Sequence, residues 1–446
     1  MTAILRFPPG FLWGTASSAY QVEGGNFNNQ WAEFEQQPGA IWHGDHCGLA
    51  CNWWQAAEDD FDRMADHRLN AHRLSIEWSR VEPTPGVYDR TALDRYRAML
   101  AGLQARGIRP FVALHHFTNP LWFQRAGGWE HPGSPSRFHA YVRTVVDALS
   151  DLCRDWLTMN EPLVHLGQGW VRGAWPPHRR NPALAVRVFR HLLLAHGAAY
   201  GAIHLRQPDA QVGYAAAMRG FAPLRPQHPL DRLSARLKRY LYEEIWLAAT
   251  TDGRIRPPAG LRDYNPCLHD SLDFLGFNYY ARQFVRFTPN PLAQFGRERF
   301  PPGAEFSDSG RHGPYSALQP AGLADLCLDL RRFGKPLYVL ENGLPDADDD
   351  QRPRWLLAHL VHLHRAIQKG CDVRGYFHWT FVDNFEWTDG WGLRFGLYGL
   401  DPASQVRQAR GSAAVYGSIA RHNGILATTL HEHAPDFVRS QFQSVA

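Results

Sequence analysis

Eight short runs of β-branched and aromatic residues recur along the chain. Each is followed by Gly, Pro or Asn and then by a stretch with helical spacing. The runs are residues 11–20, 71–78, 109–117, 155–162, 211–218, 272–280, 336–343 and 374–384. Strands that alternate with helices pair in parallel, and eight such units are the number that a closed parallel barrel contains. The sequence therefore predicts an α/β fold, a single (β/α)8 TIM barrel with long βα loops, as one domain over residues 1–446.

Helical spacing between the runs supports this prediction. Residues 91–107, 136–152 and 353–370 read as helices, and the last of them ends at Gly370, as helices often do. The alternative is an open doubly wound sheet. No G-x-G-x-x-G or Walker-type loop follows any of the eight runs, so the sequence favours the barrel.

Charge and composition narrow the classes of partner. The 47 Lys and Arg residues exceed the 43 Asp and Glu residues by four, and they are spread along the chain, which makes nucleic acid a poor partner. Arg6 and the Pro8-Pro9 pair interrupt any apolar signal-peptide core, and no segment approaches the roughly 18 apolar residues of a membrane span. Six scattered cysteines are too few for a disulfide framework, and Cys153, Cys267, Cys327 and Cys371 read as buried small hydrophobes. These features predict a cytoplasmic protein without a membrane partner.

Two glutamates close predicted strands. Glu161 lies in TMNEP (158–162) and Glu341 in LENG (340–343), each near the carboxyl end of a predicted strand. Catalytic groups of barrels lie at such carboxyl ends. Hydrolysis of a glycosidic bond needs a proton for the leaving oxygen and a carboxylate on the opposite face of the sugar. Asn160 places an amide directly before Glu161, and Asn342-Gly343 places an amide and a flexible residue directly after Glu341. Glu161 and Glu341 are therefore the candidate catalytic pair.

The order of motifs resembles glycoside hydrolase family 1, the β-glucosidase and β-galactosidase family. The matching motifs are FLWGTASSAYQVEGG (11–25), HRLSIEWSR (72–80), LHHF (114–117), TMNEP (158–162), FNYY (277–280), YVLENG (338–343) and GYFHWTFVDNFEWTDGWGLRFG (375–396). The match spans nearly the whole chain. It implies a retaining mechanism in which Glu161 is the acid/base and Glu341 is the nucleophile.

The resemblance also implies supporting and sugar-binding residues. Arg73, Asn278 and Tyr280 match positions that support the catalytic pair. The matching substrate-binding positions are Gln21, His116, Asn160, Trp379, Glu386, Trp387 and Phe395. The expected partner is a small-molecule or oligosaccharide β-glycoside of glucose or a related neutral sugar, because the serine and lysine pattern of the 6-phospho-glycosidases is absent. No cofactor and no metal are expected, and homo-oligomerisation is left open.

Several alternatives stay open at this point. The same two glutamates serve a transglycosylase, and a non-catalytic sugar-binding relative and a metal-dependent barrel hydrolase are further rivals. His115 and His116 point to opposite sides of a strand, the segment 43–51 reads as a His-rich loop, and residues 346–350 read as a solvated acidic loop. Phe117-Thr118-Asn119 stands where many family members have Trp-Asp-Leu, which leaves the fine sugar preference undetermined.

Overall fold

Eight parallel strands form a closed barrel in the computed structural model, which describes residues 4–435. In chain order the strands are β1 (Leu12–Ala16), β2 (Ala71–Ser75), β3 (Arg109–Ala113), β4 (Asp155–Asn160), β5 (Gln211–Ala217), β6 (Leu275–Asn278), β7 (Leu337–Asn342) and β8 (Val373–His378). Each strand pairs with its two sequence neighbours, and β8 pairs with β1 to close the ring. Every predicted run contains one barrel strand, so the barrel prediction is confirmed. Residues 1–3 and 436–446 of the predicted domain lie outside the described part of the chain.

Helices connect the strands on the outside of the barrel. They are α1 (Trp53–Asp66), α2 (Arg90–Ala105), α3 (Ser134–Leu149), α4 (Pro182–Arg206), α5 (Pro229–Arg239), α6 (Ile245–Asp252), α7 (Pro320–Leu330), α8 (Arg352–Gln368) and α9 (Gly411–His422). Asp89 caps α2 through its carboxylate, which accepts the backbone N–H groups of Thr91 and Ala92. The three helices predicted from spacing correspond to α2, α3 and α8.

The βα loops contain further short elements. Short α-helices are Ala19–Glu23, Gln30–Phe34, Trp78–Val81, Leu121–Arg125, Pro162–Leu166 and Ala427–His433, and π-helical turns are Gly167–Arg172 and Tyr240–Glu244. Single 3-10 turns are Trp42–Gly44, Gly128–Glu130, Pro291–Ala293, Arg331–Phe333 and Trp387–Asp389. Small antiparallel pairs are Ile4–Arg6 with Gly424–Leu426, Gly253–Ile255 with Asp263–His269, Ser309–Gly310 with Gly313–Pro314, and Tyr398–Leu400 with Arg407–Ala409. Ala222–Pro223, Phe284–Phe287 and Gly296–Arg299 form a three-stranded sheet.

The strands are buried on both faces because alternate side chains enter two different cores. Phe111, Leu157 and Leu340 fill the barrel interior, where they belong to one apolar cluster. Their neighbours Val112 and Trp156 point outward into the larger cluster beneath the helices. Asn160, Asn278 and Asn342 are the last residues of β4, β6 and β7, where the loops begin.

The cysteines are all free, and five of the six are buried. Cys267 is exposed, so its predicted burial is wrong; it lies in the mostly exposed strand Asp263–His269, outside the barrel. In the segment 43–51, the Cys47 thiol donates to the Tyr20 carbonyl and the Cys51 thiol to the Asp383 carbonyl. Among residues 4–435, no helix has the length and apolar character to cross a membrane.

Candidate active site

The two candidate glutamates reach the same cavity from β4 and β7, which are separated in the barrel by β5 and β6. Glu341 is the fifth residue of the six in β7, and Glu161 directly follows β4. Both line a cavity of about 360 Å³ at the carboxyl end of the barrel. Nine of the predicted residues line it: His116, Asn160, Glu161, Asn278, Tyr280, Glu341, Trp379, Glu386 and Trp387.

Local backbone geometry aims Glu161 into the cavity. Its φ of 45° and ψ of 55° are left-handed, a conformation that costs a non-glycine residue of order 1 kcal/mol. The Glu161 N–H donates to the Ala215 carbonyl, which ties the residue to β5, and Pro162 then begins a short helix. This turn ends the strand at Glu161 and therefore holds its carboxylate at the rim of the barrel.

Glu341 is held by a cation and a hydroxyl. The Arg73 guanidinium, fully buried on β2, donates to Glu341 Oε1, and the Tyr280 hydroxyl donates to Glu341 Oε2 at 2.6 Å. Burial and the Glu341 charge raise the pKa of Tyr280 well above its usual value, so its hydroxyl stays protonated and remains a donor. Charge-assisted hydrogen bonds of this kind stabilise the ionised carboxylate.

Glu161 lies in a different environment. Within the described chain, its one side-chain hydrogen bond comes from Asn278 Nδ2, which donates to Glu161 Oε1 at 3.0 Å. Burial, followed by the negative charge of Glu341, raises the pKa of Glu161 to about 7. Glu341 thus lies between a cation and a hydroxyl donor, whereas Glu161 is half-protonated near pH 7.

An amide network joins the two carboxylates. Asn160 Oδ1 accepts from Arg73 at 2.8 Å and from Asn278 at 3.2 Å, while its Nδ2 donates to His116 Nε2 at 3.1 Å. Burial, followed by the charge of Arg73, lowers the pKa of His116 well below its usual value, which keeps the ring neutral. The other ring nitrogen of His116, Nδ1, is buried without a hydrogen-bond partner among the described residues.

Aromatic rings and one more carboxylate form the rest of the pocket. The His116 ring stacks between Trp379 and Trp387, with centroids 6.2 and 6.0 Å away. Glu386 accepts from Gln21 Nε2 at 3.1 Å, and burial, followed by the Asp389 charge, raises the pKa of Glu386 well above its usual value. An indole face beside hydroxyl-binding carboxyl and imidazole groups is the combination that a sugar ring requires.

Three predicted residues stand behind the cavity lining. Arg73 and Gln21 are fully buried and act on it through Glu341 and Glu386. Phe395 is also buried and packs edge-on against the rings of Tyr280 and Tyr315, at centroid distances of 6.0 and 5.1 Å. The structure therefore places Phe395 in the packing that supports Tyr280, outside the set of cavity-lining side chains.

Other cavity residues come from the long loops and escaped the sequence analysis. They include Gln168, Arg172, Arg219, His312, Tyr315 and Asp389. Trp175, one of the tryptophans without an assigned role, also lines the cavity and lies 5.9 Å from Trp387. Arg219, directly behind the fifth strand run, and Asp389, within the motif at 375–396, carried positional signals that could have identified them.

One group of carboxylates has the spacing of metal ligands. Among residues 4–435, Asp346, Asp348 and Asp350 bring carboxylate oxygens within 4.8 Å of one another, and none of the three lines the cavity. Asp346 is buried, contrary to the solvated loop predicted for residues 346–350, because its Oδ2 accepts the N–H groups of Gln351 and Arg352 at the start of α8. Asp348 and Asp350 are exposed, as predicted.

Comparisons with known proteins agree with this geometry. The family model for glycosyl hydrolase family 1 matches residues 4–425. Beta-glucosidase A of Thermotoga maritima is 28% identical over 95% of this chain and 99% of its own, and a beta-galactosidase of Sulfolobus acidocaldarius is 29% identical over 95% and 96%. The solved structure of a beta-glycosidase from Pyrococcus horikoshii superposes with a TM-score of 0.90 at 36% identity, covering 97% of this chain and 98% of that one.

Proposed function

This chain belongs to glycosyl hydrolase family 1 and is a hydrolase of O-glycosyl bonds, and we propose that it removes terminal non-reducing β-linked glucose, or a related neutral sugar, with net retention. The observation that carries the proposal is the unequal environment of two carboxylates in one cavity. Glu341 is paired with Arg73, while the pKa of Glu161 is about 7. A retaining glycosidase requires one ionised and one protonated carboxyl group in this arrangement.

In the first step, Glu161 gives its proton to the glycosidic oxygen while a Glu341 oxygen attacks the anomeric carbon. The bond from that carbon to the leaving oxygen breaks, the aglycone departs as an alcohol, and the sugar becomes an α-linked ester of Glu341. Arg73 and Tyr280 hold the attacking carboxylate in one orientation.

In the second step, Glu161 acts as a base. Esterification removes the charge of Glu341, which is the second largest cause of the raised pKa of Glu161. The pKa of Glu161 therefore falls, and its carboxylate accepts a proton from the water that attacks the anomeric carbon. The ester bond breaks, Glu341 regains its charge, and the sugar leaves in the β-configuration after two inversions.

The pocket supports a neutral glycone. Asp389 lines it, and its carboxylate would repel a 6-phosphate. His116, Asn160 and Glu386 offer hydrogen bonds to hydroxyl groups, and Trp379 offers an apolar face. The names of the relatives, beta-glucosidase and beta-galactosidase, support glucose and galactose as the first sugars to test. Soluble cello-oligosaccharides are the natural substrates that we propose.

We propose a cytoplasmic location with neither nucleic acid nor membrane as partner. Six free cysteines, five of them buried, support a reducing compartment. Assembly into homo-oligomers and the extent of the single domain over residues 1–446 stay predictions of the sequence.

Product stereochemistry tests the function. Proton NMR of aryl β-glucoside hydrolysis should show β-glucose first and the α-anomer only after mutarotation, whereas initial α-anomer would refute retention.

A panel of aryl β-glycosides that differ only in the sugar ranks glucose against galactose and fucose. Enzyme dialysed against a chelator should keep its activity, since a metal-dependent hydrolase would lose it. Glucosyl transfer to added alcohol in place of hydrolysis would identify a transglycosylase.

A further inference from the structure

A strongly basic groove lies beside the catalytic cavity. It encloses about 610 Å³, and the charged residues among those that line it are Arg172, Arg180, Lys238, Arg297, Glu298 and Arg299. The lining thus includes five cationic residues and a single carboxylate. The groove alone carries a surplus of four positive charges, which equals the net charge of the whole 446-residue chain.

Two connections join the groove to the cavity. Arg172 lines both. Arg219 lines the cavity, and its guanidinium pairs with Glu298 of the groove at 3.1 Å, while Lys238 Nζ pairs with the same carboxylate at 2.8 Å. A ligand that projects from the cavity past Arg172 or Arg219 therefore enters the groove.

The positive charge of the groove is only partly compensated by protein carboxylates. Glu298 already has two cationic partners, and its pKa is lowered because the charges of Arg219 and Lys238 outweigh its burial. Within residues 4–435, Arg172, Arg180, Arg297 and Arg299 form no salt bridge, and all four are exposed. Guanidinium groups bind carboxylate and phosphate oxygens through paired N–H donors, so an exposed cluster of them favours an anionic ligand.

The groove lies on the leaving-group side of the reaction. Arg219 acts on the charge of Glu161, which protonates the leaving oxygen, and Arg172 belongs to the loop that begins at Glu161. His116, Glu386 and Trp387, which hold the sugar in the proposed function, do not line the groove. The group that reaches the groove is therefore the aglycone.

Building on the proposed function, we propose that this groove is an aglycone subsite for β-glycosides whose leaving group carries a carboxylate or phosphate. The anion is held by the guanidinium groups of Arg172, Arg297 and Arg299, while the glycosidic oxygen stays beside Glu161. The sites for glycone and aglycone thus have opposite electrostatic character, with carboxylates at one end of the ligand and guanidinium groups at the other.

Three phenyl β-glucosides test this subsite. Each carries a two-carbon tether at the para position that ends in a carboxylate, a phosphate ester or a neutral amide, so the leaving phenols are closely matched. At low ionic strength, kcat/KM of an anionic substrate should exceed that of the amide by about tenfold, the lower end of electrostatic steering. The advantage should decline as salt rises, because the charges are exposed. An advantage for one anion alone identifies which group the subsite takes.

Charge-neutralising variants test whether the preference for anionic substrates arises in the groove. The double variant Arg297→Gln/Arg299→Gln should reduce the anionic-to-neutral ratio of kcat/KM at least about threefold. The matched control Arg90→Gln/Arg421→Gln removes the same two charges from exposed positions on α2 and α9 and should keep the wild-type ratio. Hydrolysis of the amide shows that each variant is folded and active.

Equal kcat/KM for the three substrates in the wild type, or an advantage that the groove variant retains, would overturn the proposal. Failure to release glucose from any of them, the amide included, would instead refute the function on which it rests.

Discussion

Two glutamates of identical chemistry differ here only through their neighbours. Arg73 and Tyr280 stabilise the charge of Glu341, whereas Asn278 gives Glu161 a neutral amide donor in a buried site. Coulomb attraction stabilises the charged form of a carboxyl group, and desolvation destabilises it. The roles proposed for Glu341 and Glu161 can therefore be tested by replacing one side chain at a time.

Glu341→Ala should remove nearly all turnover, because no other group occupies the position of the attacking oxygen. Azide enters the vacated space and attacks the anomeric carbon of an activated aryl β-glucoside, so the expected product is the α-glucosyl azide. NMR of the azide product measures the configuration. Recovery of the β-azide would contradict the assignment of Glu341 as the nucleophile.

Glu161→Ala should abolish the fall of kcat/KM above about pH 7. It should slow the hydrolysis of substrates with poor leaving groups more than that of substrates with good ones. The wild type loses its acid as pH rises through the pKa of Glu161, about 7. Dinitrophenyl glucoside needs little protonation, so its glycosyl-enzyme still forms, whereas an alkyl glucoside should react at least about 100-fold more slowly. Rate profiles from pH 5 to 9 with both substrates measure this difference.

Glu23→Gln is the matched control for that profile. Burial also raises the pKa of Glu23 to about 7, but Glu23 does not line the cavity; it accepts from Arg80 and Tyr96. This variant should keep the wild-type fall of kcat/KM at alkaline pH. If Glu23→Gln lost this fall, or if Glu161→Ala kept it, a group other than Glu161 would control the pH dependence.

Glu161→Gln should be more stable than the wild type at pH 8, by of order 2 kcal/mol. The folded-state pKa of about 7 lies above the unfolded value near 4.5, so the folded protein binds more protons between these values. Wild-type stability therefore falls as pH rises through this window, while the amide does not titrate. Urea unfolding at pH 8 and pH 4 measures the difference in free energy of unfolding between the variant and the wild type, which should nearly vanish at pH 4. An equal difference at both pH values would contradict a stability effect from the titration of Glu161.

At the scale of elements, the ends of β7 and β8 approach too closely for a side chain between them. A Cβ built on Gly343 would lie 2.0 Å from the Trp379 carbonyl oxygen, so this position has no room for alanine. Glu341 lies two residues before Gly343, and Trp379 lines the cavity. The packing of two strand ends thus sets the position of the proposed nucleophile and of the Trp379 ring together.

Gly343→Ala should lower the free energy of unfolding by about 1–3 kcal/mol and should also lower kcat, because the strand ends must separate. Gly201→Ala is the control: Gly201 lies within α4, a Cβ at this position would meet no atom within 4 Å, and alanine there should raise stability by about 0.5–1 kcal/mol. Thermal unfolding and kcat of both variants provide the measurement. An unchanged kcat in a folded Gly343→Ala enzyme would show that the contact does not position the site.

At the scale of the whole molecule, closure of the barrel makes the fold a single unit. Each strand has two neighbours, so the loss of any strand exposes two sheet edges. The strand Ile4–Arg6 pairs with Gly424–Leu426, which joins the beginning and the end of the described chain.

Unfolding should therefore be one cooperative transition, despite a length at which chains often divide into domains. Tryptophan fluorescence, far-UV circular dichroism and activity should lose their signals at the same urea concentration. Two separated transitions would contradict the prediction that residues 1–446 form one domain.

Local rules made the barrel predictable and pointed to a candidate catalytic pair. Strand and helix periods involve neighbouring residues only, and side chains at the ends of parallel strands meet at one rim, so Glu161 and Glu341 could be assigned from their motifs. Loop residues follow no such period. Arg172, His312 and Tyr315 line the cavity because separate loops converge there, and no spacing in the sequence indicates that convergence.

The sequence by itself determined the fold class and the order of the eight units and indicated two candidate catalytic carboxylates, because these depend on local periodicity and motif order. The tertiary structure alone decided that Arg73 pairs with Glu341, that burial raises the pKa of Glu161, that Phe395 stands behind the cavity and that five cationic groups gather in one groove. Charge and burial are properties of distance in space, which only the folded chain defines.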